Sequence, residues 1–68
     1  MEFLAKHLQE LRKAKKLSRQ TVADAIGISA RSYQRYENNE REPTASTLVA
    51  LANFYGVTID ELVGRTSA

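Results

Sequence analysis

The stretch from residue 19 to residue 38 (RQTVADAIGISARSYQRYEN) constrains the fold more than any other part of this chain. Its first half has the periodicity of an amphipathic helix. The apolar face of that helix consists of Val22, Ala23 and Ile26. Gly27 predicts the end of the helix, because glycine readily adopts the left-handed backbone that closes many helices. Ile28 points back inward, and Ser29 is a typical first residue of a following helix. The stretch therefore predicts two short helices joined by a tight turn.

The second of these helices has two different faces. Tyr33 and Tyr36 share its apolar face, so we predict that they lie in the core rather than stack on bases. Glu37 is the only carboxylate of this helix, and we place it on the inner side as well. The predicted outward face consists of Ala30, Arg31, Ser32, Gln34, Arg35 and Asn38. Two helices arranged in this way form a helix-turn-helix, whose second helix can enter the DNA major groove, so the motif favours DNA binding.

Charge is distributed unevenly along the chain, although the formal net charge is only +2. Residues 12–35 contain seven basic side chains and one acidic side chain, whereas residues 42–68 contain one basic and three acidic. A basic run alone is more often just a solvated surface. Because this run coincides with the helix-turn-helix, it favours a polyanion that approaches one side of the domain.

Length and composition exclude several other classes of protein. A chain of 68 residues forms one small domain, which buries only about 60% of the surface that it exposes when unfolded. The chain has no cysteine, so its fold depends on helix packing rather than on disulfides or thiolate metal sites. Nothing in the sequence is typical of a strand, a membrane span of about 18 apolar residues or a signal peptide. We expect an all-α domain in the cytoplasm, which fits the lack of cysteine.

Three further helices are predicted around the motif. Helix one covers about residues 2–15 and has an apolar stripe. That stripe consists of Leu4, Leu8 and Leu11. Thr44 caps helix four. The apolar stripe of helix four consists of Ala45, Leu48, Leu51, Ala52 and Tyr55. Thr58 and Glu61 form a capping box that opens a short helix five, with Leu62 as its core residue.

Several short motifs follow one another in a fixed order along residues 4–63. They are Arg12 with Glu37, Leu17-Ser18, Ala23 with Gly27, Pro43-Thr44, and the closing Gly56-Val57-Thr58-Ile59-Asp60-Glu61-Leu62. Together, at this spacing, they resemble the phage-repressor-like (Cro/cI-type, XRE-like) helix-turn-helix domains of bacteria and phages. The chain departs from the family pattern at four positions. Asn39 stands where glycine is common, Tyr33 and Tyr36 where Leu or Ile is common, and Arg19 where Gln is common.

The resemblance implies a compact five-helix DNA-binding domain over residues 1–64, with residues 65–68 as a frayed tail. The helix-turn-helix would lie at helices two and three, and helix three (about residues 30–38) would enter the major groove. We interpret Arg12 and Glu37 as a structural ion pair that links helix one to the end of helix three and so orients the reading helix.

Base contacts are predicted from the outward face of helix three. Arg31 and Arg35 lie four residues apart on one face, and each can grip a guanine through two acceptors. Gln34 can read adenine, and Ala30 and Ser32 in the first turn can reach a thymine methyl or a polar base edge. The alternative for either arginine is a contact with phosphate only, since half or more of protein–DNA hydrogen bonds go to the backbone.

Phosphate contacts are predicted from cations and helix ends around the motif. The candidates are Ser18, Arg19, Ser29, Asn38, Arg41, Lys15 and Lys16. Basic side chains neutralise phosphates, and the helix ends capped by Ser18 and Ser29 offer backbone N–H donors. Lys6 and Lys13 are interpreted as solvent-exposed charges.

We therefore predict a sequence-specific regulator of transcription that binds double-stranded DNA, with repression as the expected effect, in a bacterium or phage. We expect no enzyme activity, because His7 has no neighbouring ligand set or nucleophile. No cofactor, metal, membrane or small-molecule effector is expected. A homodimer is expected on DNA. Its candidate face consists of Phe54, Val57, Ile59 and Val63, with Val49 nearby. The alternative from another class is a protein-interaction module that has lost contact with DNA.

Overall fold

The computed structural model describes residues 1–65, and this part of the chain consists of five helices. They are α1 (Glu2–Ala14), α2 (Arg19–Ile26), α3 (Ala30–Glu37), α4 (Ala45–Tyr55) and α5 (Ile59–Val63). The described residues contain no strand. The predicted all-α architecture is confirmed, and α1 and α3 each end one residue earlier than predicted. Residues 66–68, most of the predicted frayed tail, lie outside the described residues.

Each predicted N-cap is present. The side chains of Ser18, Ser29, Thr44 and Thr58 accept a hydrogen bond from the backbone N–H three residues later, at 3.1, 3.1, 3.3 and 3.0 Å. The Thr58 N–H also donates to Oε1 of Glu61 at 2.9 Å, which completes the capping box. These bonds satisfy N–H groups that a helix start otherwise leaves unpaired, so even the five residues of α5 have a defined beginning.

All five helices end with a left-handed residue, and the N–H of the next residue donates a hydrogen bond back to the last turn of the helix. Gly27 has φ of 77°, and the N–H groups of Gly27 and Ile28 donate to carbonyls in the last turn of α2. Asn39 after α3 has φ of 57°, as the comparison with glycine at that position predicts. Lys16 after α1 has φ of 56°, which the sequence did not indicate. A residue with a Cβ pays about 1–2 kcal/mol for this conformation, although asparagine adopts it more readily than lysine.

The core lies where all five helices meet. α2 packs on α3 and α4, α1 packs on α3 and α5, and α4 packs on α5. The core side chains are Leu4, Leu8, Val22, Ala23, Tyr33, Tyr36, Leu51, Ala52, Tyr55 and Leu62. The predicted stripe of α4 is wrong at its first residue, because Ala45 is exposed and Leu48 is only half-buried. Ala45 lies in the first turn of α4, and the stripe becomes fully buried only at Leu51.

Candidate nucleic-acid interface

The outward side of α3 carries two guanidinium groups. Arg31 and Gln34 are exposed, Arg35 is half-buried, and Asn38 directly after the helix is exposed. The ion pairs among residues 1–65 involve other cations, so neither Arg31 nor Arg35 is neutralised by a described carboxylate. The face therefore keeps the positive charge that the sequence predicted for it.

The first turn of α3 is less open than predicted. Ala30 is half-buried and packs against the core, which reduces the surface that it can offer to a base. Ser32 is also half-buried, and its hydroxyl accepts a hydrogen bond from the hydroxyl of Ser29 at 3.0 Å. Both serines thus contribute to the helix start, and the exposed side chains of α3 are concentrated at Arg31, Gln34 and beyond.

The last turn of α3 is anchored to α1 by a buried ion pair. Arg12 donates from Nε to Oε2 of Glu37 at 2.7 Å and from Nη2 to Oε1 at 3.1 Å. A third nitrogen of Arg12, Nη1, donates to the carbonyl of Leu17 at 3.1 Å. The Glu37 side chain has no solvent exposure and that of Arg12 has 10%. This geometry is that of a structural pair, which fixes the end of α3 against α1.

Arg19 at the start of α2 joins the same carboxylate. Its Nε donates to Oε1 of Glu37 at 3.1 Å, while 44% of the Arg19 side chain remains exposed. We call Arg12, Arg19 and Glu37 the charged cluster. The sequence analysis assigned Arg19 to phosphate alone and missed this bond. The available signal was an arginine at a position where the family commonly has glutamine, together with a glutamate on the inner side of α3.

The cluster keeps the Glu37 carboxyl ionised. Burial by itself raises the pKa of this carboxyl, but the hydrogen bonds from Arg12, the nearby Tyr33 hydroxyl and the charges of Arg12 and Arg19 outweigh it. The pKa of Glu37 therefore lies below its ordinary value. The hydrogen bond to Glu37 is in turn the largest cause that raises the pKa of Arg12, against the opposing effect of burial.

Three further bonds at or after the end of α3 were also missed. Gln9 of α1 donates from Nε2 to the backbone carbonyl of Glu37 at 2.7 Å. The N-terminal ammonium of Met1 donates to Oδ1 of Asn39 at 3.1 Å and to Oε1 of Glu42 at 3.4 Å. Met1 and Gln9 therefore both reach the segment in which α3 ends.

Tyr33 and Tyr36 are in the core, as predicted from their shared face. The Tyr33 hydroxyl lies 2.6 Å from the hydroxyl of Tyr55 on α4, so two buried hydroxyls satisfy each other. Burial is the largest cause that raises the pKa of both Tyr33 and Tyr55. These rings are held inside the bundle and are not available to stack on bases.

The predicted phosphate contacts fall into two groups. Ser18 and Ser29 are engaged as caps, so the groups they leave for an anion are the backbone N–H donors of the first turns of α2 and α3. Lys15, Lys16, Asn38 and Arg41 are exposed. Lys6 and Lys13, interpreted as surface charges, are exposed too.

The candidate dimer face offers less apolar surface than the sequence suggested. Phe54, Val57 and Val63 are half-buried and pack against the domain's own core. Ile59 and the nearby Val49 are exposed, with 40% and 45% of their surface accessible. The most exposed large apolar side chain among the described residues is instead Phe3 of α1, at 55%.

His7 is half-buried rather than on the open surface. Its Nδ1 lies 3.2 Å from the carbonyl oxygen of Leu62, which can only accept, so Nδ1 is the donor. Its ring meets that of Phe3 edge-on with 5.3 Å between centroids. This contact joins α1 to α5.

Within residues 1–65, no three histidine, cysteine or acidic side chains form a group that could hold a metal. No helix in that range is long and apolar enough to cross a membrane.

A protein-family model described as helix-turn-helix matches residues 8–62, which is most of the chain. The chain belongs to this helix-turn-helix family. The HTH-type transcriptional regulator AnsR of Bacillus subtilis is 45% identical over 58 residues, which cover 85% of this chain and 50% of AnsR. The cryptic phage CTXphi transcriptional repressor RstR of Vibrio cholerae is 42% identical over 62 residues, which cover 91% of this chain and 55% of RstR. The chain spans about half the length of the curated relatives it matches.

Solved structures show the same fold. The P22 c2 repressor, crystallised with a synthetic operator, superposes with a TM-score of 0.89 over 97% of this helix-turn-helix chain and 100% of its own, at 21% identity. The restriction-modification controller protein C.AhdI of Aeromonas hydrophila superposes with a TM-score of 0.83 over 90% of this chain and 92% of its own, at 28% identity. The predicted phage-repressor-like architecture is confirmed.

Proposed function

We propose that this helix-turn-helix domain binds double-stranded DNA at specific sequences and regulates transcription, with α3 in the major groove. The observation that carries the proposal is the contrast between the inner and the outward face of α3. Its last turn is fixed by Glu37 and Gln9 to α1, while Arg31 and Arg35 stay unneutralised by any described carboxylate. A helix held in this way presents its cations in a constant orientation, as base reading requires.

Arg31 is the first candidate for base reading because it is exposed and lies in the first half of α3. A guanidinium can donate two hydrogen bonds to the major-groove edge of guanine, which is worth about 1–3 kcal/mol of discrimination. Arg35 and Gln34 follow as readers of guanine and adenine. Ser32 and Ala30 are assigned smaller contacts, since both are half-buried.

Phosphate anchoring is assigned to the surroundings of this helix. Arg41, Lys15, Lys16 and Asn38 are exposed there, and the N-termini of α2 and α3 add backbone donors. The relatives named as transcriptional regulators and repressors support a role in gene control, and repression is the proposed effect. We propose no catalytic step for the domain.

Selection of bound sites from a random duplex pool tests the proposal directly. We expect a defined consensus, and Arg31→Ala should relax the preference at one base pair of it while the fold stays intact. Arg41→Ala should instead weaken specific and random duplexes alike and lower the salt slope by about one. Lys6→Ala, an exposed charge on α1, is the matched control and should change neither property.

Two outcomes would contradict this assignment. Equal losses on specific and random DNA for Arg31→Ala would show that Arg31 is only a phosphate anchor. No duplex binding even at low salt would instead favour the protein-interaction alternative, because phosphate neutralisation is strongest there.

We also propose that two copies bind one operator in the bacterial cytoplasm, since operator symmetry commonly mirrors a two-fold protein. The exposed Ile59 supports pairing through α5, although most of the predicted apolar face is used by the core. Sedimentation with and without the selected duplex tests this proposal. A monomer at high concentration in both cases would refute it.

A further inference from the structure

Arg19 faces two environments at once. Its Nε is bonded to a carboxylate with no solvent exposure, and yet 44% of its side chain is accessible. Glu37 supplies one negative charge for the two positive charges of Arg12 and Arg19. Because Arg12 is buried with its bonds to Glu37 and Leu17, the unbalanced positive charge of the cluster reaches solvent at Arg19.

The bond to Glu37 restricts how the guanidinium of Arg19 can turn. The group is planar and carries five N–H donors, so a hydrogen bond at Nε leaves the two amino groups on the far side with a set direction. Amino groups held in this way match two oxygens of one phosphate. They stand at the first residue of α2, beside the N-cap Ser18, and the first turn of α2 contains no acidic residue. All of these features favour an anion at this place.

Glu37 belongs to α3, so a ligand that binds Arg19 also affects the orientation of α3 through the bond to Glu37. We propose that Arg19 is a positioning residue that couples a DNA phosphate to the orientation of α3: its amino groups hold the phosphate while its Nε holds Glu37. The inference rests on the proposed DNA-binding function. Arg19 would differ from a simple phosphate anchor such as Arg41, because sequence discrimination would depend on its Nε–H donor and not on its charge alone.

Arg19→Lys separates the two roles, because lysine keeps the charge but cannot donate to the carboxylate and to a phosphate from one rigid plane. We expect the salt slope to stay the same and affinity for random duplex to be unchanged, while affinity for the selected site falls about tenfold, the size of one charged hydrogen bond. Arg41→Lys is the matched control and should leave affinity for both duplexes unchanged. Arg19→Gln should in addition lower the salt slope by about 0.9.

A phosphate map gives a second readout that a purely structural role would not move. Duplexes that carry one neutral methylphosphonate at successive positions should show one position where the wild type loses affinity and Arg19→Gln does not. Circular dichroism and urea unfolding of each variant check the fold, and the Arg12–Glu37 bonds remain in all of them.

The outcomes distinguish a failure of the proposed coupling from a failure of the proposed DNA binding. If Arg19→Lys behaves like Arg41→Lys, or if no phosphate loses its importance in Arg19→Gln, the coupling is overturned while DNA binding stands. If the wild type itself binds no duplex at low salt, the proposed function fails and the inference fails with it.

Discussion

The helices α1 to α3 and the helices α4 and α5 are held in place by different forces. The first three share the charged cluster, in which Glu37 accepts hydrogen bonds from two other helices. The last two join the bundle through apolar side chains such as Leu51 and Leu62, which are fully buried. Hydrogen bonds are directional, whereas apolar burial depends mainly on the area removed from water. The proposed reading helix is therefore oriented by bonds, and the part behind it mainly adds stability.

Two polar contacts cross between the two parts, and one of them is the hydrogen bond from Nδ1 of His7 to the carbonyl of Leu62. The hydroxyls of Tyr33 and Tyr55 meet at 2.6 Å, and Tyr33 also helps to lower the pKa of Glu37. A line of polar side chains thus extends from Arg19 at the surface past Glu37 and Tyr33 to Tyr55 on α4. Every buried side-chain nitrogen and oxygen among the described residues has a hydrogen-bond partner. The polar line is therefore fully satisfied, as an interior network must be to be tolerated.

The largest effect is expected from Arg12→Ala, which removes the main partner of a buried carboxylate. We expect the free energy of unfolding to fall by about 3–5 kcal/mol, because the buried carboxylate loses its main partner and keeps only the bond from the half-exposed Arg19. Urea unfolding followed by circular dichroism measures this loss. Lys13→Ala, at the exposed neighbouring position, should stay within about 0.5 kcal/mol of the wild type. A loss for Arg12→Ala no greater than that of the control would show that the charged cluster is dispensable.

Leu62→Ala tests the apolar part in the same assay. Deleting a fully buried leucine should cost about 2–5 kcal/mol through lost transfer energy and the cavity left behind. Because α5 contributes stability rather than orientation, the affinity of the folded fraction for the selected duplex should not change. A drop in affinity beyond what unfolding accounts for would mean that α5 helps to orient α3 after all.

At acidic pH, the charged cluster should lose part of its contribution to the free energy of unfolding. The folded-state pKa of Glu37 lies below its unfolded value of 4.5, so its contribution to stability is present above that value and is lost as pH falls through the folded pKa. The loss should be smaller than that of Arg12→Ala, since a protonated carboxyl still accepts hydrogen bonds. Urea unfolding at a series of pH values between about 7 and about 3 measures this loss of stability.

Glu61 provides the control for the acid experiment, because its pKa is also lowered, chiefly by the hydrogen bond from the Thr58 backbone N–H. It is exposed, so Glu61→Gln should retain most of the dependence on pH. If Glu61→Gln abolished that dependence, the capping box and not the charged cluster would be its source.

The smallest effect is expected at Lys16, whose φ of 56° is unfavourable for a residue with a Cβ. Lys16→Gly should raise the free energy of unfolding by about 0.5–1 kcal/mol, because relief of strain exceeds the entropy that glycine loses on folding. Lys15→Gly is the matched control, since Lys15 has φ of −88°. That variant should lose stability, and a gain in both variants would show that strain at Lys16 is not the cause.

Features set by short segments of sequence were predicted well. The four N-caps, the glycine end of α2 and the burial of Tyr33 each depend on residues within a turn or two of one another, so local rules were enough. Contacts between distant segments were harder to predict from the sequence. The bonds of Gln9 and Arg19 to Glu37 span 28 and 18 residues, and they depend on helix crossing geometry that periodicity does not contain. The Arg12–Glu37 contact spans 25 residues and was anticipated only through the family pattern.

The polar bonds that tie α3 to α1 and α2 all lie at or after its last turn, whereas Arg31 and Gln34 have no part in them. The residues that hold α3 in place and the residues proposed to contact bases are therefore at different positions of one eight-residue helix. Exchanging these two outward side chains is then a route to a new target site that leaves the architecture unaltered. A small library randomised there, with Glu37 and its partners kept constant, would yield well-folded relatives that differ in the sequence they recognise.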